Sequence, residues 1–482
     1  MVLDEVHSYD LYTGTLVDTL VRRLRDLGAT VVILSATLTA ARRQQLLGLP
    51  PPAPASTAAP DTTAAVTLPS EPYPLISALR DGDRGLITVP VERGAVQTVS
   101  IGFDSPAALS ALAVEHAERG ECVLWIRNTV DTAQETWRQL RSAVRTGGPE
   151  VGLLHSRFPA FRREQLEAAW IDALGKDPSQ RPAAGCILVS TQIAEQSVDI
   201  DADLLLTDLA PTDMLLQRLG RLWRHTRVRP PGATHQAWIA APSLSACELR
   251  SATSAELIEA LSVSAKVYAP YILVRTLAVW QGRCTIDLPT AIRPLIESTY
   301  AEFDWEPDAW RELRSRLTSQ REKMVRQALT NTNPWQLQLD DTEDVQTRWN
   351  GLPTALVLPL TDIRQEGRYS VRCQLLDGRT CELRVDSWDY AAARAVHANL
   401  VKVPRWTVRD LLQAPPAWLS TYVHEPVVAC RLAVDGRLLT LPDLAETPLE
   451  YSPDIGMVIR RDTAPARQTW AAHTEDDDEF DE

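Results

Sequence analysis

The chain has 482 residues, 45% hydrophobic and 23% charged; at roughly 100–200 residues per domain, that predicts two to four globular domains. Its net charge of −14 excludes a uniformly basic nucleic-acid coat, while a local basic groove stays compatible with it. Seven acids and no base fall in residues 475–482, so half of the net charge sits in a terminal tag expected to be disordered.

In chain order, residues 11–27 predict an amphipathic helix, with Leu16, Leu20, Leu24 and Leu27 on one face and Gly28 ending it. Residues 30–34 (TVVIL) read as a buried strand and 38–47 as a helix. A Pro/Ala/Thr-rich stretch, 50–66, predicts a loop or linker, and strand-like runs follow near 86–91 and 95–103. From about residue 105 helix and strand alternate. Helices are expected at 106–119, 129–145, 160–173 and 212–223, and strands at 122–126, 151–154, 186–190, 203–207 and 236–240. Short apolar runs between helices predict a parallel sheet covered on both faces, hence an α/β domain. Residues 252–330 predict helices with a break at Pro270, and 343–465 a mixed, strand-rich region. No apolar run approaches the ~18 residues of a membrane span, so no membrane partner is expected. The acids at positions 4 and 5 argue against a secretory leader. Seven scattered cysteines without a C-x-x-C pair predict a reducing, cytoplasmic setting.

Four segments carry chemistry. Asp4-Glu5-Val6-His7 follows the apolar stub Val2-Leu3. Acids at the carboxyl end of a parallel strand sit where α/β sheets bind ligands. One carboxylate there can help hold Mg²⁺ beside phosphates, and the next can position an attacking water. Alone, the same four residues read more readily as an acidic turn after a strand. Ser35-Ala36-Thr37 leaves the next strand, and Ser190 to Asp201 leaves strand 186–190 with hydroxyl, amide and carboxylate groups. Finally, Gln217 to His225 places Arg218, Arg221 and Arg224 at steps of three, expected along one face of helix 212–223. Guanidinium groups suit bidentate phosphate binding and stabilise charge on a transferring phosphoryl group. A solvated basic face is the plain alternative. Five arginines and no acid between 217 and 229, in an acidic chain, favour a polyanion site.

In order and spacing these segments resemble motifs II, III, V and VI of superfamily 2 helicases. DEVHSYD at 4–10, LHSRF at 154–158, TQIAEQSVDID at 191–201 and QRLGRLWRH at 217–225 resemble more closely the signature helicase–nuclease of type I CRISPR interference. VYAPYILVRTLAVW at 267–280 resembles that family's segment after the motor. The likeness covers about residues 1–300.

The resemblance implies ATP and Mg²⁺ as cofactors. Asp4 would ligate the metal and Glu5 would be the general base. His7, Ser35 and Thr37 would couple hydrolysis to DNA movement. Arg221 and Arg224 would reach the γ-phosphate, with Gln217 in support and Asp199 near the ribose. Asn128, His155, Ser156, Arg157 and Thr191 would line the path of single-stranded DNA. Read from the residues alone, His155 is as readily a strand cap, Asn128 an N-cap for helix 129–145, Arg157 an ion-pair partner and Trp223 helix packing. His225 has no expected role.

The implied architecture is α/β. It has RecA-like lobes at 1–104 (the last part of a first lobe) and 105–242, a helical linker at 243–335, a small α+β domain at 336–465 and the tail 466–482. No G-x-x-x-x-G-K-[ST] occurs, since Gly175-Lys176 is followed by Asp177 and has no glycine five positions earlier. The eight histidines include no His-Asp pair, so no nuclease site of that family's kind is found. Three readings stay open. The first is the C-terminal part of a 3′-to-5′ single-stranded DNA helicase of CRISPR interference, from a split gene, a frameshifted gene or a misplaced start codon, partnered by a crRNA-guided surveillance complex and, if the gene is split, by a separate chain bearing the P-loop and nuclease. The second is an ATPase-deficient remnant that binds DNA or a partner. The third is another superfamily 2 repair helicase.

Overall fold

A computed structural model describes residues 1–6, 11–49, 74–79, 86–90, 96–195, 199–301, 306–331 and 353–460. His7, the loop 50–66 and the acidic tail lie outside the described residues. The chain divides into two compact units, Met1–Leu154 with Ala169–Gly351, and His155–Ala168 with Leu352–Glu482.

The first unit is α/β. Its larger sheet has seven strands, in the order Thr285–Leu288, Gln97–Asp104, Gln236–Ala240, Leu204–Asp208, Cys122–Ile126, Cys186–Ser190 and Glu150–Leu154. Every pairing is parallel except that of Thr285–Leu288, which runs antiparallel to Gln97–Asp104. Cys122–Ile126, Cys186–Ser190 and Leu204–Asp208 are buried at every position. That is why they read as unbroken apolar runs rather than alternating ones. Their carboxyl ends lie together, so the loops after residues 126, 154, 190 and 208 open on one edge of the sheet.

Two expected boundaries shift. Strand Gln97–Asp104 pairs with Gln236–Ala240, so it belongs to this sheet and not to the segment before residue 105. Strand Thr285–Leu288, inside the expected helical stretch, closes the sheet's edge. Otherwise that stretch is helical among the described residues, and helix Pro270–Trp280 begins at the expected proline, which occupies its first turn.

The expected helix 212–223 ends early, at Thr212–Leu219. Gly220 caps it, and the chain then turns alongside Ala202. Ala202 N–H donates to the Arg221 carbonyl at 2.9 Å, and Trp223 N–H donates to the Ala202 carbonyl at 3.0 Å. Trp223 sits at φ 50° to make this bend. Its ring donates through Nε1 to the Asp203 carbonyl and stacks on His235. Arg218 is therefore the last arginine on the helix, and Arg221 and Arg224 lie beyond it. The three do not share a helix face.

A second, two-stranded parallel sheet pairs Val2–Leu3 with Val32–Ile33. Helices Leu11–Asp26 and Ala40–Leu46 cover it through a small core of Leu3, Val6, Val17, Val21 and Leu46. Val2, Val32 and Leu34 remain exposed. The long helix Asp308–Asn331 packs on Leu11–Asp26.

The second unit is built on an eight-stranded sheet centred on Thr354–Gln365, which pairs in parallel with Val427–Leu432 and antiparallel with Ser370–Leu375 and Val401–Pro404. Helix Tyr390–Asn399 contributes Ala392, Ala393 and Val396 to one core face. Residues 155–168, from far earlier in the sequence, belong to this unit. His155 Nε2 lies 3.0 Å from the Ile455 carbonyl, and Met457 N–H donates to the Arg157 carbonyl at 2.9 Å. Gly456, at φ 74°, faces them. A Cβ there would lie 2.9 Å from both the Arg157 oxygen and His155 Cε1.

Candidate nucleotide and nucleic-acid site

Asp4 and Glu5 leave the carboxyl end of strand Val2–Leu3, and Ser35 to Thr37 leave the neighbouring parallel strand Val32–Ile33. Parallel pairing in register places the two segments side by side. Leu34 N–H donates to the Leu3 carbonyl, and Val6 N–H to the Leu34 carbonyl. Glu5 is at φ 53°, and its N–H donates to Asp4 Oδ1 at 2.8 Å, which turns both exposed carboxylates at the strand end. Thr37 is buried, and its hydroxyl has no hydrogen-bond partner among the described residues.

The arginines after residue 217 have three different environments. Arg218 is 0% exposed. Its guanidinium donates to Glu195, the Thr207 hydroxyl, the Asp208 carbonyl, Asn128 Oδ1 and the Tyr268 hydroxyl, at 2.6–3.1 Å. Burial works against its charge, but Glu195 leads the neighbours that outweigh it, and the net shift is upward. Tyr268 is in turn pushed up to about 12 by burial, with Arg218 opposing.

Arg221 is held by two backbone carbonyls, Ala194 at 3.0 Å and Glu195 at 2.6 Å. Burial lowers its pKa first, and Arg224 adds to that; Asp199, Glu5 and Glu195 pull the other way. Glu5 is thus within electrostatic reach of Arg221, although 216 positions separate them in sequence. Arg224 pairs with Asp199 at 2.7 Å in partial solvent exposure, and His225 Nε2 lies 3.1 Å from each Asp199 oxygen. Asp199, expected near a ribose, is thus engaged with Arg224 and His225. Gln217 Nε2 is buried with no partner among the described residues.

This donor set suits a magnesium nucleotide: hard carboxylate oxygens at one strand end, arginine guanidiniums, and a buried amide N–H with no partner among the described residues. Among the described residues no three His, Cys, Asp or Glu side chains converge as a metal cage. Mg²⁺ commonly takes one or two carboxylates and completes its shell with phosphate and water.

The expected DNA-lining residues come out differently. Asn128, His155, Arg157 and Thr191 are buried, and only Ser156 is exposed. Asn128 donates through Nδ2 to the Leu209 carbonyl and the Ser264 hydroxyl, and accepts from Arg218. Nor is it a helix cap: Thr129 caps Val130–Ala143. The His155 ring is 0% exposed, stacked on Phe158, with Nδ1 accepting from Arg157 N–H at 3.1 Å. Burial, with Arg157 beside it, holds its pKa down to about 3, so the ring is neutral. The polar side-chain atoms of Asn128 and His155 are thus bonded inside the protein. Sequence reasoning also passed over Glu195 and Tyr268, and quoted Arg218 without a role. Tyr268 offers no signal in the sequence, since its contact with Arg218, 50 positions earlier, exists only in the fold.

Residues 119–227 match the family model described as CRISPR-associated nuclease/helicase Cas3, C-terminal. A curated CRISPR-associated endonuclease/helicase Cas3 of Thermus thermophilus is 32% identical over 533 aligned positions, covering 95% of this chain and 54% of that protein. The fold is similar to the crystal structure of T. fusca Cas3, with a TM-score of 0.73, 21% identity, and 95% of this chain on 54% of that one. A chain in a structure titled CRISPR RNA-guided surveillance complex, pre-nicking, has a TM-score of 0.67 at 22% identity, covering 95% of this chain and 56% of that one. The chain spans about half the length of the relatives it matches. Motifs, fold and relatives agree, and over the matched residues the chain is similar to the C-terminal portion of the CRISPR-associated Cas3 nuclease/helicases.

Proposed function

We propose that this chain supplies half of an ATP-driven motor that moves 3′ to 5′ on single-stranded DNA during type I CRISPR interference. The observation that carries the reading is the pair Asp4 and Glu5 at the carboxyl end of strand Val2–Leu3, beside Ser35 to Thr37 at the end of its parallel neighbour Val32–Ile33. Adjacent carboxylates at a strand end, one able to hold Mg²⁺ and the next to orient a water, are an arrangement that phosphoryl transfer uses.

Bound ATP with Mg²⁺ would supply the transferable phosphoryl group. Asp4 would hold the metal, and Glu5 would orient the attacking water and take its proton. Arg221 and Arg224 would stabilise charge on the phosphate oxygens, and Gln217 would donate its spare N–H. The Thr37 hydroxyl, beside the acids, would report hydrolysis to the rest of the motor. DNA contacts would fall to backbone groups at the open edge of the seven-stranded sheet, and their strength would be salt-dependent. By analogy with its structural neighbour, the partner would be a crRNA-guided surveillance complex.

A second reading is a DNA- or partner-binding module without ATPase activity. One experiment separates the two. The chain is joined to the half of its Thermus relative that it does not match, and DNA-stimulated phosphate release is measured. The motor reading expects turnover that Glu5→Gln and Arg221→Ala each abolish. Turnover indifferent to both substitutions would sink it. DNA binding without any turnover would favour the module.

A further inference from the structure

The three arginines of one sequence motif differ in how freely they can change partners. Arg218 is locked, since both it and Glu195 are cut off from water. Arg221 rests on two backbone carbonyls, which cannot move away from it independently. Arg224 is held mainly by a side chain in solvent, donating from Nε to Asp199 at 2.7 Å and only at 3.4 Å from Nη1 to the Gly220 carbonyl; its side chain is 40% exposed and that of Asp199 45%. Its backbone is fixed separately, by Arg224 N–H donating to buried Asp201 at 2.8 Å, so the side chain can swing while the main chain stays.

Asp199 has a second partner already in place. His225 Nε2 sits 3.1 Å from both carboxylate oxygens. His225 is itself held by its carbonyl, which accepts from Arg229 Nη2 at 2.8 Å, and Arg229 is anchored on Asp201 and Asp203. If Arg224 leaves, the Asp199 carboxylate is not left alone.

We propose that Asp199 parks Arg224 when no phosphate is present, and that His225 takes over the carboxylate when Arg224 swings to the phosphate. Asp199 and His225 are positioning residues in this exchange, and Arg224 is the group that touches the ligand. The inference rests on reading Arg224 as phosphate-facing. An ion pair this exposed is worth at most about a factor of five. A charge-assisted arginine–phosphate contact is stronger, so parking holds the side chain without trapping it.

The test uses the chain itself with inorganic tripolyphosphate as probe, followed by calorimetry at low salt. Asp199→Asn releases Arg224 and raises affinity roughly three- to five-fold. The double variant Asp199→Asn/Arg224→Ala shows no such gain over Arg224→Ala. His225→Ala weakens binding, because Asp199 then keeps Arg224 as its main partner. Unchanged affinity in Asp199→Asn overturns the proposal, as does an equal gain with Arg224 absent, which would be simple loss of a negative charge. Unchanged affinity in His225→Ala overturns the hand-over. If Arg224→Ala alone binds the probe as wild type does, the phosphate-facing reading fails, and the parking proposal with it.

Discussion

Arg218 Nη2 lies 2.6 Å from Glu195 Oε1, and the two side chains are 0% and 3% exposed. The pair ties the helix Thr212–Leu219 to the loop after strand Cys186–Ser190, and Asn128 and Tyr268 join it from two further segments. A buried charge that loses its partner is costly, about 3–5 kcal/mol. Arg218→Leu therefore destabilises the first unit by about that amount, read as a shift in the urea midpoint. The double variant Arg218→Met/Glu195→Leu recovers a large part of the loss, since neither charge is then stranded. A double variant as unstable as the single one would show that packing, not charge, is responsible.

Asn128 makes three side-chain hydrogen bonds inside the protein. Asn128→Ala strands buried donors and acceptors and costs about 1–3 kcal/mol in denaturation. It leaves the salt dependence of single-stranded DNA binding unchanged, because no phosphate contact is removed. A shallower slope of log affinity against log salt would return Asn128 to the DNA path.

His155 gives the second unit an acid sensitivity. Its folded pKa of about 3 lies below the ordinary value of 6.5, so the folded state favours the neutral ring. The stability this contributes is fully present above pH 6.5 and is lost as pH falls from there toward 3. Denaturation of the chain between pH 7 and 4.5 shows a decline that His155→Gln flattens. An equal decline in both proteins would place the acid sensitivity elsewhere.

Gly456 cannot carry a side chain. At φ 74° an L-residue is strained, and its Cβ would press on the Arg157 oxygen and His155 Cε1. Gly456→Val is expected to destabilise the second unit by about 2–3 kcal/mol. Hydrogen exchange should show the loss at residues 155–158 and 455–457 together. Faster exchange confined to the 455–457 turn would mean that the two segments are not one cooperative contact.

The strand-and-helix alternation from 105 to 240 was legible because each strand is short, apolar and buried on both faces. The acids after Val2-Leu3 and the hydroxyls after Val32-Ile33 were legible as strand-end chemistry. The end of helix Thr212–Leu219 was harder to read. Gly220 is a fair stop signal, but the arginine spacing continues past it, and only pairing of the following residues with Ala202 stops the helix.

The sequence by itself determined the order of the motifs and the kinds of group they carry, because those depend on local spacing and residue chemistry. Only the tertiary structure decided which polar group is spent inside the protein and which faces outward. Arg218 and Arg224 look alike in the chain, yet one is sealed in a web drawn from four segments and the other rests on an exposed carboxylate. His155 meets its partner, Ile455, 300 positions later. Desolvation and hydrogen-bond satisfaction depend on everything folded around a group, and no local pattern encodes that surrounding.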